Sequence, residues 1–143
     1  MEKRQTKLGA QDYLGWTLWI IGFATEVIAD HQKGQFRADP LNKETFIKTG
    51  LWSLSRHPNY FGEILLWFGL FISASSNFTK WWQYLSILSP TAVYLLITKM
   101  SGIPLLEQHG LKKWGHLPEY QTYLNNTPEL IPQLSGLLAF IGL

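Results

Sequence analysis

Apolar residues in this chain are gathered into blocks, and that segregation limits the fold more than any other feature. Hydrophobic side chains make up 46% of the 143 residues and charged ones 15%. A soluble domain usually carries about 25% charged residues. The mean hydropathy is nonetheless −0.01, so the apolar residues must alternate with strongly polar stretches. Three blocks result, at 13–29, 60–76 and 81–100, each near the roughly 20 residues that carry a helix across a bilayer. The expected fold is an all-α membrane protein with about three transmembrane helices and short amphipathic cytoplasmic helices, forming one membrane domain over residues 1–143.

The first block has Glu26 embedded in it and Trp16 and Trp19 near one end. A buried helix of a soluble protein would read alike, but the tryptophans suit an interfacial belt. Residues 30–50 are polar and basic, and Gly34 and Pro40 predict a partly ordered loop. Within it Lys33 and Arg37 are four apart, so on any helical turn they face one way. Gly62 and Gly69 are small packing positions in the second block. In the third, Trp81, Trp82 and Tyr84 form an aromatic belt and Pro90 predicts a kink. The short turn between blocks two and three predicts antiparallel neighbours. Beyond Met100, one helix is expected to end at Gly115 and another to run from Pro118 to the Thr127-Pro128 stop. The apolar tail, 133–143, is too short to span.

Charge sets the expected orientation. Lys33, Arg37, Lys43, Lys48 and Arg56 precede the second block, Lys99 marks the end of the third, Lys112 and Lys113 follow it, and only Lys80 lies in the turn between. The positive-inside rule puts segments 30–59 and 101–132 together on the cytoplasmic side. Lys3, Arg4 and Lys7 oppose that arrangement, so either the rule is overridden there or the first segment does not cross. The basic N-terminus before an apolar run lacks a small-residue cleavage site, and the run is read as retained. Asn77-Phe78-Thr79 fits a glycosylation pattern but lies too close to the membrane to be given a role.

One polar cluster stands at the mouth of the second block. Residues 50–63 read GLWSLSRHPNYFGE. Pro58 disfavours helix at His57 and can open one itself. Arg56 and His57 offer donors to an anion, Asn59 to an amide or hydroxyl, and Tyr60 a flat ring with a polar tip. A basic cap on a membrane helix would explain Arg56, but not Asn59, Gly62 and Glu63 together. Lys33, Arg37, Arg56, Lys112 and Lys113 could bind phosphates, while Trp52, Tyr60, Trp114, Tyr120 and Tyr123 could stack on flat rings. Asn59 and Glu107 could hold amide or ribose groups. The set suits a nucleotide-like cofactor at the cytoplasmic face with a lipid-like partner entering from the bilayer.

Other chemistries are disfavoured. There is no Cys, hence no disulfide frame or thiolate nucleophile. His31, His57, His109 and His116 lack metal-ligand spacing, and Ser53 or Ser55 with His57 lacks a nucleophile elbow. No glycine-rich phosphate loop appears, which excludes a soluble dinucleotide fold. A net charge of +2 gives no footprint for nucleic acid.

The stretch GLWSLSRHPNYFGEILLWFGLF, with ADHQKGQFRADP before it and SGIPLLEQHGLKKWGHLPEYQTYLNNTPELIP after it, resembles the DUF1295 family. That family is related to the C-terminal domain of steroid 5-alpha-reductases and to delta-14 sterol reductases. The similarity spans residues 14–132 in three ordered blocks. It implies NADPH as cofactor, with phosphates on Lys33 and Arg37, and further cofactor contacts from Trp52, Arg56, His57, Asn59, Tyr60, Glu107, Lys112, Lys113, Trp114 and Tyr123. The stretch Gly110-Leu111-Lys112-Lys113-Trp114 is less basic than the corresponding sterol-reductase tetrad, so its grip on phosphate differs.

The implied reaction is hydride transfer to the C=C bond of a steroid or other lipid enone, assisted by an acid. The resemblance covers only the C-terminal half of such reductases, whose carbonyl-contacting groups lie largely on upstream helices. Glu26, Glu63 and Tyr60 are then the candidates for the acid, since an intramembrane carboxylate is costly and functional by default. A structural hydrogen bond at a helix end or between helices is the plainer account of both glutamates. A homo-oligomer or a partner subunit could supply missing helices. The alternatives are a lipid methylase like the isoprenylcysteine methyltransferases, which share the RHPxYxG core and use S-adenosylmethionine, and a non-catalytic cofactor-binding subunit. The setting expected is an integral membrane protein, in the inner membrane if bacterial or the endoplasmic reticulum if eukaryotic.

Overall fold

The computed structural model describes residues 8–133 and 135, and these residues form helices joined by turns with no strand among them. Lys3, Arg4, Lys7 and most of the apolar tail fall outside the described residues.

Helix α1 runs from Ala10 to Ala38, past the point where a loop was expected. Gly34 does not break it, because one interior glycine costs only about 1 kcal/mol. The stop comes at Asp39, which is extended (φ −83°, ψ 117°) ahead of Pro40, as the residue before a proline prefers. Asp39 Oδ1 then accepts from Leu41 N at 3.0 Å. The extension places Lys33 and Arg37 one helical turn apart, with Arg37 in the last turn, where the helix dipole favours a cation.

Helix α2 starts at Pro58 and ends at Ser75, antiparallel to α1. Glycines spaced by seven on each helix form the seam, Gly15 and Gly22 facing Gly69 and Gly62. A Cβ built on Gly22 would lie 2.5 Å from Gly62 O and 2.6 Å from Leu66 N; one on Gly15 would meet Ser73 N at 2.6 Å and Gly69 O at 2.7 Å. The backbones therefore touch, as small residues permit. Polar ties close both ends of the pair: Ser76 Oγ to Asp12 Oδ1 at 2.6 Å, and Asn59 Nδ2 to Asp30 Oδ1 at 3.1 Å.

The third block is not one kinked α-helix. It begins as a 3-10 turn, Trp81–Ile87, continues as α3, Leu88–Leu95, and widens to a π-turn, Leu96–Met100. Pro90 is absorbed because it sits in the first turn of α3, where its missing N–H breaks no intrahelical bond. Ile97 in the π-turn packs with Ile64 and Ile103, and with Tyr60, Phe68, Val93 and Leu130 around them.

Helix α4, Gly102–Trp114, and helix α5, Pro118–Asn126, follow, ending at the expected Gly115 and Thr127. The chain then doubles back across the Leu54–Arg56 turn. Arg56 N donates to Pro128 O at 2.9 Å and Gln133 N to Leu54 O at 3.1 Å, while the fully buried Ser55 donates from Oγ to Leu130 O at 2.7 Å.

The three-span count is not carried by each helix alone. Among the described residues one helical run, Trp81–Trp114, is long and apolar enough to cross a membrane. Helix α1 spans about 43 Å at 1.5 Å per residue, but Asp12, Glu26 and Asp30 dilute its apolarity, and α2 begins with Asn59 and Glu63. Their outer faces are nonetheless greasy: Ile20, Ile21, Phe23, Val27 and Ile28 on α1 and Leu70 on α2 are all exposed.

Candidate functional site

The C-terminal turns of α1, the turn before α2, and helices α4 and α5 enclose a cavity of about 620 Å³. A second cavity of about 420 Å³ lies beside it and shares the wall made by Lys33, Arg37, Phe46, Ile47, Lys113 and Trp114.

Aromatic rings form one wall. Trp52 hangs from α1 by its indole N–H, which donates to Ala29 O at 3.0 Å. Its carbonyl accepts from the Tyr123 hydroxyl at 2.6 Å, and burial pushes that hydroxyl far above the usual tyrosine range. Phe46 is 5% exposed and centres the rest of the wall, with ring centroids 5.0 Å from Tyr120, 5.3 Å from Tyr123 and 6.0 Å from Trp114. Gly110 leaves room for the Tyr120 hydroxyl, which a Cβ would strike. The buried Trp114 Nε1 has no hydrogen-bond partner among the described residues, and an unmade buried bond costs about 1–3 kcal/mol.

The opposite side is charged. Glu107 Oε1 accepts from Arg56 Nη1 at 2.7 Å and pairs with His57 Nε2 at 2.9 Å. Burial pushes the Glu107 carboxyl up, but the His57 hydrogen bond and the Arg56 charge outweigh it and hold it below its ordinary value. Arg56 is further used by Thr127 O, 3.2 Å from its Nε. Arg56 therefore serves Glu107 and the returning chain segment rather than standing free for a phosphate. Lys33, Arg37, Lys112 and Lys113 make no ion pair among the described residues. Lys33 Nζ sits 5.1 Å from the Trp52 ring centre. Its ammonium is held below the usual lysine range, by burial first and then by Arg37.

Ten of the twelve residues expected to contact the cofactor line this cavity: Lys33, Arg37, Trp52, Arg56, His57, Glu107, Lys112, Lys113, Trp114 and Tyr123. Asn59 and Tyr60 are not among its lining residues. Asn59 reaches across to Asp30, and Tyr60 stacks on His57 at 5.8 Å and 22° with its back to the isoleucine cluster. Glu26 and Glu63 also lie off the cavity, at the seam of α1 and α2, within electrostatic reach of each other. The cavity adds residues that sequence reasoning passed over. Phe46 belongs to no motif weighed in the sequence, and His109 stood out only as a histidine without ligand spacing. Tyr120 was visible as a stacking ring but not as a wall against Gly110.

The family model described as "Protein of unknown function (DUF1295)" matches residues 1–127. The chain is 26% identical over 126 residues to a probable O-methyltransferase, ustE, of Ustilaginoidea virens, covering 81% of this chain and 39% of that protein. It is 27% identical over 148 aligned positions to the uncharacterized protein C594.04c of Schizosaccharomyces pombe, covering 90% of this chain and 41% of that one. The chain thus spans about two-fifths of the length of these curated relatives. No solved structure matches it.

Proposed function

On the premise that this chain belongs to the DUF1295 family, we propose that it is a membrane reductase that binds NADPH in the larger cavity and reduces a C=C bond of a steroid or other lipid enone. One observation carries the reading. Four cations that make no ion pair among the described residues, Lys33, Arg37, Lys112 and Lys113, meet aromatic walls around one cavity. A cofactor with three phosphate groups and two flat rings needs both features. The Trp114 N–H, without a partner among the described residues, offers one further donor to such a ligand. NADPH would supply the hydride; the chain's residues grip phosphate, stack on the rings and exclude water. In this reading α1 and α2 cross the bilayer as a glycine-sealed pair beside residues 81–100, and the cavity faces the cytoplasm. The exposed faces of α1 meet lipid, or helices of another copy or partner.

A second reading rests on the likeness to a probable O-methyltransferase. It makes the site a pocket for S-adenosylmethionine, with Glu107, Arg56 and His57 as its polar floor. S-adenosylmethionine has no phosphate, so it leaves the four cations unused. The melting temperature of the purified protein separates the two. A ligand at 100 times its Kd stabilises by about 2.7 kcal/mol. NADPH is expected to raise the midpoint and S-adenosylmethionine to leave it unchanged; the reverse outcome selects the methylase.

A further inference from the structure

His109 lines the larger cavity from α4, is exposed, and its side chain makes no hydrogen bond or ion pair with the described residues. The other titratable groups facing that space are committed. On α4, Glu107 is held as a carboxylate by His57 and Arg56, and His57 in turn gives its Nε2 to Glu107. On α5, burial keeps the Tyr120 and Tyr123 hydroxyls protonated, and Tyr123 is already donating to Trp52. The remaining groups are the cations of α1 and of the end of α4. Ammonium and guanidinium groups are weak acids near neutrality, and these four are needed for phosphate. Imidazole is the side chain whose charge changes between about pH 5 and 8.

We propose that His109 is the proton donor of this site. The proposal rests on the reductase reading above and adds to it the acid that Glu26, Glu63 and Tyr60, all off the cavity, are badly placed to supply. The carbon remote from the carbonyl receives the hydride from the dihydronicotinamide, the neighbouring carbon receives the proton from the His109 imidazolium, and the C=C bond becomes a single bond. NADPH is oxidised to NADP⁺ and the enone is reduced. Exposure lets the imidazole recover its proton from solvent.

The test uses the full chain in lipid nanodiscs and the variants His109→Gln and His116→Gln, His116 being exposed and off the cavity. NADPH oxidation is followed with a steroidal enone, a prenyl enone and a 2-enoyl ester. Loss of a general acid typically costs about 10²–10⁴-fold, so His109→Gln should lower kcat at least about 100-fold. NADPH should still raise its melting temperature as in the wild type. The fall in rate with rising pH should vanish in His109→Gln and persist in His116→Gln. Independently of turnover, NADP⁺ should shift the His109 ring signals in carbon-13 spectra of histidine-labelled protein and leave those of His116 in place. A His109→Gln variant with wild-type rate and pH profile, or His109 signals blind to NADP⁺, overturns the proposal while the reductase reading stands. Failure of the wild type to bind NADPH or to reduce any of the three enones overturns both.

Discussion

Two alanine substitutions in the same helix should act with opposite sign. At Gly34 nothing lies within 4 Å of a built Cβ, so Gly34→Ala gains helix propensity, about 0.5–1 kcal/mol. At Gly22 the same methyl would sit 2.5 Å from Gly62 O and 2.6 Å from Leu66 N, about an ångström inside the 3.4 Å at which ordinary contact begins. Both atoms are backbone, so no side chain can swing aside, and α1 and α2 must part along a seam that Gly15 and Gly69 share. Overpacking a tight interface costs about 1–3 kcal/mol, and the rigid neighbours put Gly22→Ala near the upper end. Set against the propensity gain, a net loss of about 2 kcal/mol remains. At about 2–4 °C per kcal/mol for a chain of this size, Gly22→Ala should melt roughly 4–8 °C lower than wild type and Gly34→Ala a few degrees higher. Circular dichroism in one detergent at one protein concentration reads both. A Gly22→Ala protein as stable as wild type, or two shifts of one sign, would refute the close antiparallel seam.

Three further outcomes follow from the site. Glu107 is held below its ordinary value, so its stabilising effect is full above the unfolded carboxyl range and is lost as pH falls through the lowered value; Glu107→Gln should flatten part of the acid limb of the melting curve and lower stability at neutral pH by about 1–3 kcal/mol. Lys33 is depressed, so its charge is lost below the usual lysine range as pH rises, and NADPH affinity measured by tryptophan quenching should weaken there in wild type but much less in Lys33→Arg. Tyr123→Phe removes the donor to Trp52 O, which should cost about 1 kcal/mol and loosen Trp52, seen as a weaker quench at saturating NADPH.

Much of this architecture could be read from residues alone, for identifiable reasons. Pro58, Gly115, Pro118 and the Thr127-Pro128 pair bound helices as their local chemistry dictates. The motif around Arg56 and His57 marked the floor of the cavity because unlike polar groups seldom gather ahead of an apolar helix. The extension of α1 to Ala38 was hidden because a polar stretch with one glycine reads as loop, whereas one glycine is a small cost to a helix already anchored by α2. Gly15 and Gly22 went unnoticed because their seven-residue spacing gains meaning only when Gly62 and Gly69 are seen opposite them. Asn59 and Tyr60 diverge from the cavity because successive residues on a helix point about 100° apart, which aims Asn59 at Asp30 and Tyr60 at the isoleucines. Arg56 carried a charge in the sequence, but only its 2.7 Å contact with Glu107 shows where that charge is used.

The most direct measurement of the central claim is equilibrium binding of NADPH to wild type and to the double variant Lys33→Ala, Arg37→Ala, by titration calorimetry at low and high salt. Wild type should bind, and more weakly at high salt. The double variant, with an unchanged circular dichroism spectrum, should lose at least about 100-fold in affinity along with most of the salt dependence. Equal affinity in the two proteins, or no binding of NADPH to wild type, would contradict the account.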